Sequence, residues 1–291
     1  MRYALHGNFL CPPGARTAGS RSCPGKGAHG NGLPALSRVV TLTGMDGDPV
    51  ADARDLVAQL FPHARWAVLT GSVTTARRTA GSDLDIVVVL PDGDPAAPHR
   101  DSRYWLGWPV EMFVHDAATL AHYLDKDLTD RRPVLHHMLA TGIALTGQDP
   151  HAAGVRADCA KILAAGPAPL TMQERERARY ALTDLLDDLT HAEDPGERIV
   201  IAVTAWTAAA QYALAFGGQW TGGGKWLLRQ LRAMDPDLAK RWVAAHGDPD
   251  ATAAVIRTVV DRGGGPLFAG YRAAGERPPE RAAPQTGCPD R

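Results

Sequence analysis

"LTGSVTTARRTAGSDLDIVVVL", residues 69–90, decides how this chain is read. It ends in a run of Leu, Ile and Val of the kind that forms a fully buried strand, yet Asp83 and Asp85 stand at the head of that run. A carboxylate buried without a cationic partner is strongly unfavourable, so two of them on one strand point to a metal ion or a basic ligand. Residues two apart in a strand project from one face, so Asp83 and Asp85 point together while Leu84 and Ile86 point to the other side. A second apolar stretch, "VEMFV" at 110–114, carries Glu111 between Val110 and Met112 as the single polar side chain on its face. If that strand pairs beside the first, three carboxylates converge. Three such anions stay ionised together only around cations, and hard oxygen ligands suit Mg²⁺. The pattern fits a two-metal site for phosphoryl transfer.

The phosphates need a cradle, and one lies just upstream. The strand "WAVLT" runs into Gly71 and Ser72, and "TTARRTA" follows as a short helical or turn segment. Glycine lets the backbone approach a ligand without a Cβ, the first N–H groups of a following helix face an anion, and Ser72 adds a hydroxyl. Ten residues separate Ser72 from Asp83, enough for a turn back to an adjacent strand. That spacing is the most specific feature of the chain.

Outward from this stretch the sequence divides into a mixed half and a helical half. From Pro49 to about Gly147 a helical spacing (Val50, Ala53, Leu56, Val57, Leu60) is followed by the strands "WAVLTG", "LDIVVVL" and "PVEMFVH" with a loop between the last two. After "AAGPAPL", a Pro-punctuated linker at 164–170, the pattern becomes almost wholly helical. Thr171 or its neighbour opens a long helix to about Thr190, a second runs from about Pro195 to Phe216, and shorter ones follow Gly224, Pro236 and Pro249. The expected fold class is α+β, a small mixed-sheet domain over 45–150 followed by an all-helical domain over 151–276. Residues 1–44 are crowded with Gly, Pro, Ser and Arg without periodicity and read as a disordered extension, as does the Pro-rich tail at 277–291. A capped helix pattern begins directly after Met45, so Met45 reads as the natural start and 1–44 as an over-extended reading frame.

The ordered set "TGSVTTARRTAGSDLDIVVV" and "VEMFV" resembles the DNA polymerase beta superfamily of nucleotidyltransferases: an apolar strand, Gly-Ser, about ten residues, Asp-x-Asp in a strand, then a third carboxylate in a later strand. The resemblance covers roughly residues 50–147, and the helical half is reminiscent of the aminoglycoside-modifying members and their bacterial relatives. It implies that Asp83 and Asp85 ligate Mg²⁺, as two ions, and that Glu111 holds the same metal or helps deprotonate the acceptor hydroxyl. It implies further that Gly71 and Ser72 face the β and γ phosphates of ATP or another nucleoside triphosphate. The reaction so implied moves a nucleoside monophosphate onto a hydroxyl of a small-molecule acceptor. The alternative within the same fold is a regulatory module acting on protein or RNA, of toxin–antitoxin type, or a nucleotide-binding protein without turnover.

Other residues divide between a site role and a plain one. Ser82 is either a phosphate contact or part of a Gly-Ser turn. "TGGGKW" at 221–226 is not a Walker A loop, because the spacing fails and Trp226 stands where Ser or Thr would coordinate Mg²⁺; Lys225 remains a candidate triphosphate contact. Arg77 and Arg78 could reach the triphosphate, and Trp105 and Trp108, placed in the loop before Glu111, could stack on a base or sugar. Asp184, Asp187 and Asp188 share a helix face that is either solvated or a site for a cationic acceptor, the former favoured. His136 and His137 lie on a helix with nothing nearby to make them metal ligands.

Composition narrows the classes. At 291 residues, 45% hydrophobic, 22% charged and a formal charge of −1, the chain is ordinary for a two-domain globular protein and unlike a protein with a broad basic face for duplex DNA. Four cysteines (Cys11, Cys23, Cys159, Cys288) at unrelated spacings read as unpaired thiols. No apolar run is read as reaching the roughly 18 residues of a membrane span, so the expectation is a cytoplasmic protein.

Overall fold

The computed structural model describes residues 47–147 and 149–274; the expectations for 1–44, for Met45 and for 277–291 lie outside them. The chain forms two compact units that divide between Ala164 and Ala165.

The first unit is a five-stranded mixed sheet with helices on both faces. Its elements are α1 (Pro49–Leu60), β1 (Trp66–Thr70), β2 (Leu84–Val89), β3 (His99–Trp105), β4 (Trp108–His115), α2 (Ala117–Thr129), α3 (Val134–Thr141), β5 (Ile143–Ala144) and α4 (Pro150–Ala165). The strand order is β3-β4-β2-β1-β5, and only β2 and β4 run parallel. Strand alternation sorts the core into two layers. Ala67, Leu69, Leu84, Ile86, Val88, Val110, Met112 and Val114 pack with Ala53, Leu56 and Val57 of α1. Val68, Val87 and Val89 face the other way, against Leu120, Leu135, Leu139 and Cys159 from α2, α3 and α4. The site face is therefore the α2–α4 face, since Asp85 alternates with Ile86 and shares its side with Val87.

Two sequence expectations change here. The stretch before "VEMFV", expected as loop, contains β3, a hairpin partner of β4 joined through Leu106 (φ 47°) and Gly107 (φ 86°). Trp105 and Trp108 sit opposite each other across that hairpin, and Trp108 is buried with its indole N–H donating to Asp52 at 2.9 Å. It is a core residue, as the plain reading had it. Second, the helix from Pro150 packs on the first unit rather than opening the second. Arg156 donates Nε–H to the Leu139 carbonyl at 3.0 Å and a guanidinium N–H to the Gly142 carbonyl, tying α4 to the end of α3.

The second unit is all helical: α5 (Met172–His191), α6 (Pro195–Phe216), α7 (Lys225–Met234), α8 (Pro236–Ala244) and α9 (Pro249–Gly263). The helix starts follow from local chemistry. Thr171 and Glu174 form a reciprocal capping box, and the carboxylates of Asp194, Asp235 and Asp248 each accept from N–H groups in the first turn of a helix that opens with Pro. A face of α6 made of Ala202, Ala205, Ala209, Ala210 and Ala213 is buried with Leu182, Leu189, Leu231, Ile256 and Val259. Trp206 and Trp242 staple α6 to α8: each indole N–H donates to the other's carbonyl at 2.7 Å, and the rings stack at 3.8 Å. By length and composition α6 is apolar enough to cross a membrane, contrary to the expectation that no run approaches that length. Part of that apolarity is the buried alanine face, while Ile199, Val200 and Val203 are exposed.

Candidate active site

Register builds a polar row across the sheet on the α2–α4 face. Thr70 of β1 pairs with Asp85 of β2, Asp85 pairs with Glu111 of β4, and Glu111 pairs with Ser102 of β3. Directly opposed residues in neighbouring strands share a face, so these four side chains stand side by side. The next row in is apolar at its centre, with Val68, Val87 and Phe113, and ends in Arg100 on β3. Asp83 stands one residue before β2 and two before Asp85, in the loop that leads into the strand.

Gly71 brings the turn after β1 against this row. Its backbone is at φ 92°, ψ −168°, a conformation essentially confined to glycine. A Cβ built on it would lie 2.5 Å from Oδ2 of Asp85, so the missing side chain is what makes room for that carboxylate. Glycine-serine turn and aspartate are adjacent, as the spacing expects. The segment after Gly71 is only a three-residue 3-10 turn, Ser72–Thr74, not a helix with a field of its own. Any phosphate contact there falls to single N–H groups and hydroxyls.

Ser82 has a definite structural use. It is buried, its Oγ lies 2.9 Å from Ser72 Oγ, and it accepts the Thr79 N–H at 3.0 Å. With one lone pair of Ser82 taken by Thr79, its proton and its second lone pair both remain for Ser72, so either hydroxyl can donate in that pair. Ser82 therefore ties Ser72 and Thr79 together in the loop that leads to the aspartates.

Glu111 is engaged. Its Oε2 accepts a hydrogen bond and ion pair from Arg100 Nη2, and the Arg100 guanidinium lies over the Phe113 ring at 4.8 Å. Among the described residues no group of three or more His, Cys, Asp or Glu side chains is gathered so that it could hold a metal ion. Register aligns Asp85 with Glu111, Asp83 precedes β2 and is in no register, and the cation that Glu111 meets is Arg100. Asp83 and Asp85 by themselves offer hard oxygen donors suited to one divalent cation, with the Gly71 backbone alongside. Arg100 and Ser102 were missed from sequence; the edge strand that carries them, "HRDSRYW", shows no apolar alternation.

The remaining candidates sort clearly. Arg78 lies over the Trp108 ring at 4.9 Å. Lys225 is the first residue of α7, after Gly224, and belongs to the second unit. Asp184, Asp187 and Asp188 are exposed, Asp187 pairing with His191 at 3.2 Å. His136 is buried, with Nδ1 3.4 Å from Asp127, whose carboxylate also accepts the Leu135 N–H at 2.6 Å. At the far end of the site face His115 is buried with Nδ1 unpaired, and burial pushes its imidazole down to about 4. Burial likewise pushes the Cys159 thiol up to about 11.

No protein-family model and no curated protein sequence matches the chain. Among solved structures it is similar to a nucleotidyltransferase-like protein from Exiguobacterium sibiricum, with 12% sequence identity, a TM-score of 0.41, and 75% of this chain and 77% of that chain covered. A likeness of that degree carries no substrate, acceptor or mechanism across.

Proposed function

We propose that the protein is a nucleotidyltransferase that moves a nucleoside monophosphate, AMP from ATP, onto a hydroxyl of a small-molecule acceptor. The observation that carries this reading is the contact between the Gly71 turn and the Asp85 carboxylate, in register with Glu111 on the neighbouring parallel strand. What supports it is a glycine turn that gives room to one carboxylate, Asp85, whose strand neighbour Glu111 faces the same way.

In this reading Asp83 and Asp85 hold Mg²⁺ and the Gly71 N–H and Ser72 hydroxyl face the phosphates of the triphosphate. The ion, when bound, neutralises phosphate charge as in other phosphoryl transfers. The acceptor oxygen forms a new bond to the α phosphorus, the bond from that phosphorus to the bridging oxygen breaks, and pyrophosphate leaves with the electron pair. Glu111 takes the proton of the acceptor hydroxyl.

The test is incubation of the full chain with ATP labelled in the α phosphate, Mg²⁺, and a panel of hydroxylated small molecules, proteins and tRNA. Label on a small molecule, lost in Asp83→Asn and Asp85→Asn with folding retained, is the expected result. Label on a polypeptide or RNA would move the assignment to a regulatory transferase. Unchanged turnover in either aspartate variant would remove the mechanism.

A further inference from the structure

The Glu111–Arg100 pair bears on which of two jobs the third carboxylate does. Strand register sets Arg100 opposite Phe113 and Ser102 opposite Glu111, so Arg100 lies one pleat away from Glu111 on the same face. The Phe113 ring sits under the guanidinium and the Glu111 carboxylate sits at its end. Both partners are about three-quarters buried, at 28% and 27% side-chain exposure. An Arg held by a ring face and a carboxylate together is pre-positioned, because its planar fork has little freedom left to lose.

We infer that Arg100 is a positioning residue that keeps Glu111 on the β3 side of the row, so that the cation is left to Asp83 and Asp85. This rests on the reading of Asp83 and Asp85 as cation ligands given above. The reason is competition between cations. A carboxylate shared between a fixed guanidinium and a divalent ion loses part of its attraction to each, and the absence of any three-carboxylate group among the described residues matches a Glu111 committed to Arg100.

The experiment is Mn²⁺ binding to the full chain without nucleotide, followed by the electron paramagnetic resonance signal of unbound Mn²⁺. Asp85→Asn should weaken binding by about tenfold or more, whereas Glu111→Gln, which keeps shape and a hydrogen-bond acceptor for Arg100, should leave it near the wild-type value. Arg100→Ala should tighten Mn²⁺ binding by about fivefold, because a third carboxylate becomes available, and adding Glu111→Gln to it should abolish that gain. Arg100→Lys should restore the wild-type value, since an ammonium still competes for Glu111. The inference is overturned if Glu111→Gln weakens binding as much as Asp85→Asn while Arg100 is present, or if Arg100→Ala changes nothing. If wild-type protein binds no Mn²⁺, or Asp85→Asn leaves binding intact, the cation reading itself fails and this one with it.

Discussion

Replacing Gly71 by alanine separates two effects that the structure makes distinct. The residue sits at φ 92°, ψ −168°, where an L side chain is strained by about 1–3 kcal/mol. The new methyl would lie 2.5 Å from Oδ2 and 3.3 Å from Cγ of Asp85. Relieving that overlap takes roughly 1 Å of movement, and the end of a carboxylate side chain yields before the backbone does. The fold should therefore lose only the strain, about 1–3 kcal/mol by urea unfolding. Nucleotide transfer should fall by about a hundredfold, since a displacement of that size at a catalytic group costs about that much. Gly93 provides the control, because it is also at positive φ (76°) but has nothing within 4 Å of a built Cβ. Gly93→Ala should lose comparable stability and keep activity. If Gly71→Ala is destabilised to that degree yet turns over like wild type, the contact with Asp85 has no part in the chemistry. If neither stability nor activity changes, the turn geometry itself is refuted.

Stability should also depend on pH through His115. Its imidazole is held neutral by burial, down to about 4 from an ordinary 6.5, so the unfolded chain binds a proton in that window that the folded chain does not. Stability is then full above about pH 6.5 and falls by about 3 kcal/mol as the pH drops toward about 4; His115→Leu should flatten the difference curve measured by urea unfolding across that range. Asp116, held below its usual range chiefly by the Thr119 backbone N–H, contributes in the same direction but at lower pH. Cys159, buried and pushed up to about 11, should resist thiol reagents in native protein and react on unfolding, by mass spectrometry. Thr171→Ala should cost about 1 kcal/mol by removing one half of the capping box at the start of α5, measured as a lower unfolding midpoint with unchanged slope.

What the residues revealed in advance was whatever a single segment decides by itself. The caps and periodicity that set α1 and α5 to α9 lie within each helix, and the buried runs of β1, β2 and β4 declare themselves through Val, Ile and Leu. What stayed hidden depends on partners elsewhere in the chain. β3 is an edge strand of charged residues with two partly wet faces, so it has no period-2 signal, and its hairpin turn is Leu-Gly rather than Asn-Gly. The assignment of α4 to the first unit is fixed by Arg156 reaching the Leu139 and Gly142 carbonyls, a contact that no local pattern encodes. Yet its start was legible, for Asp149-Pro150 repeats the Asp-Pro opening of α1, α6, α8 and α9, with Asp149 accepting the Ala152 N–H at 3.0 Å.

The same distinction explains the candidate site. Gly71, Ser72, Asp83, Asp85 and Glu111 were readable because each stands out against its own strand or turn: a polar group in an apolar run, or a glycine where the chain must reverse. Setting Asp85 beside Glu111 needed only the assumption that β2 and β4 are neighbours, and register makes them so. Arg100 was unreadable for the converse reason, being one charge among several on a polar strand, and its importance comes only from the carboxylate it meets. A site whose anions are declared by sequence but whose cations are supplied by neighbours will regularly look more like a metal cage in one dimension than in three. Each acidic residue on an apolar strand needs positive charge, and sequence cannot say whether an ion or a guanidinium provides it. In this chain Glu111 has the Arg100 guanidinium at hand, which is why Asp83 and Asp85, rather than the full triad, are where a divalent ion should be sought first.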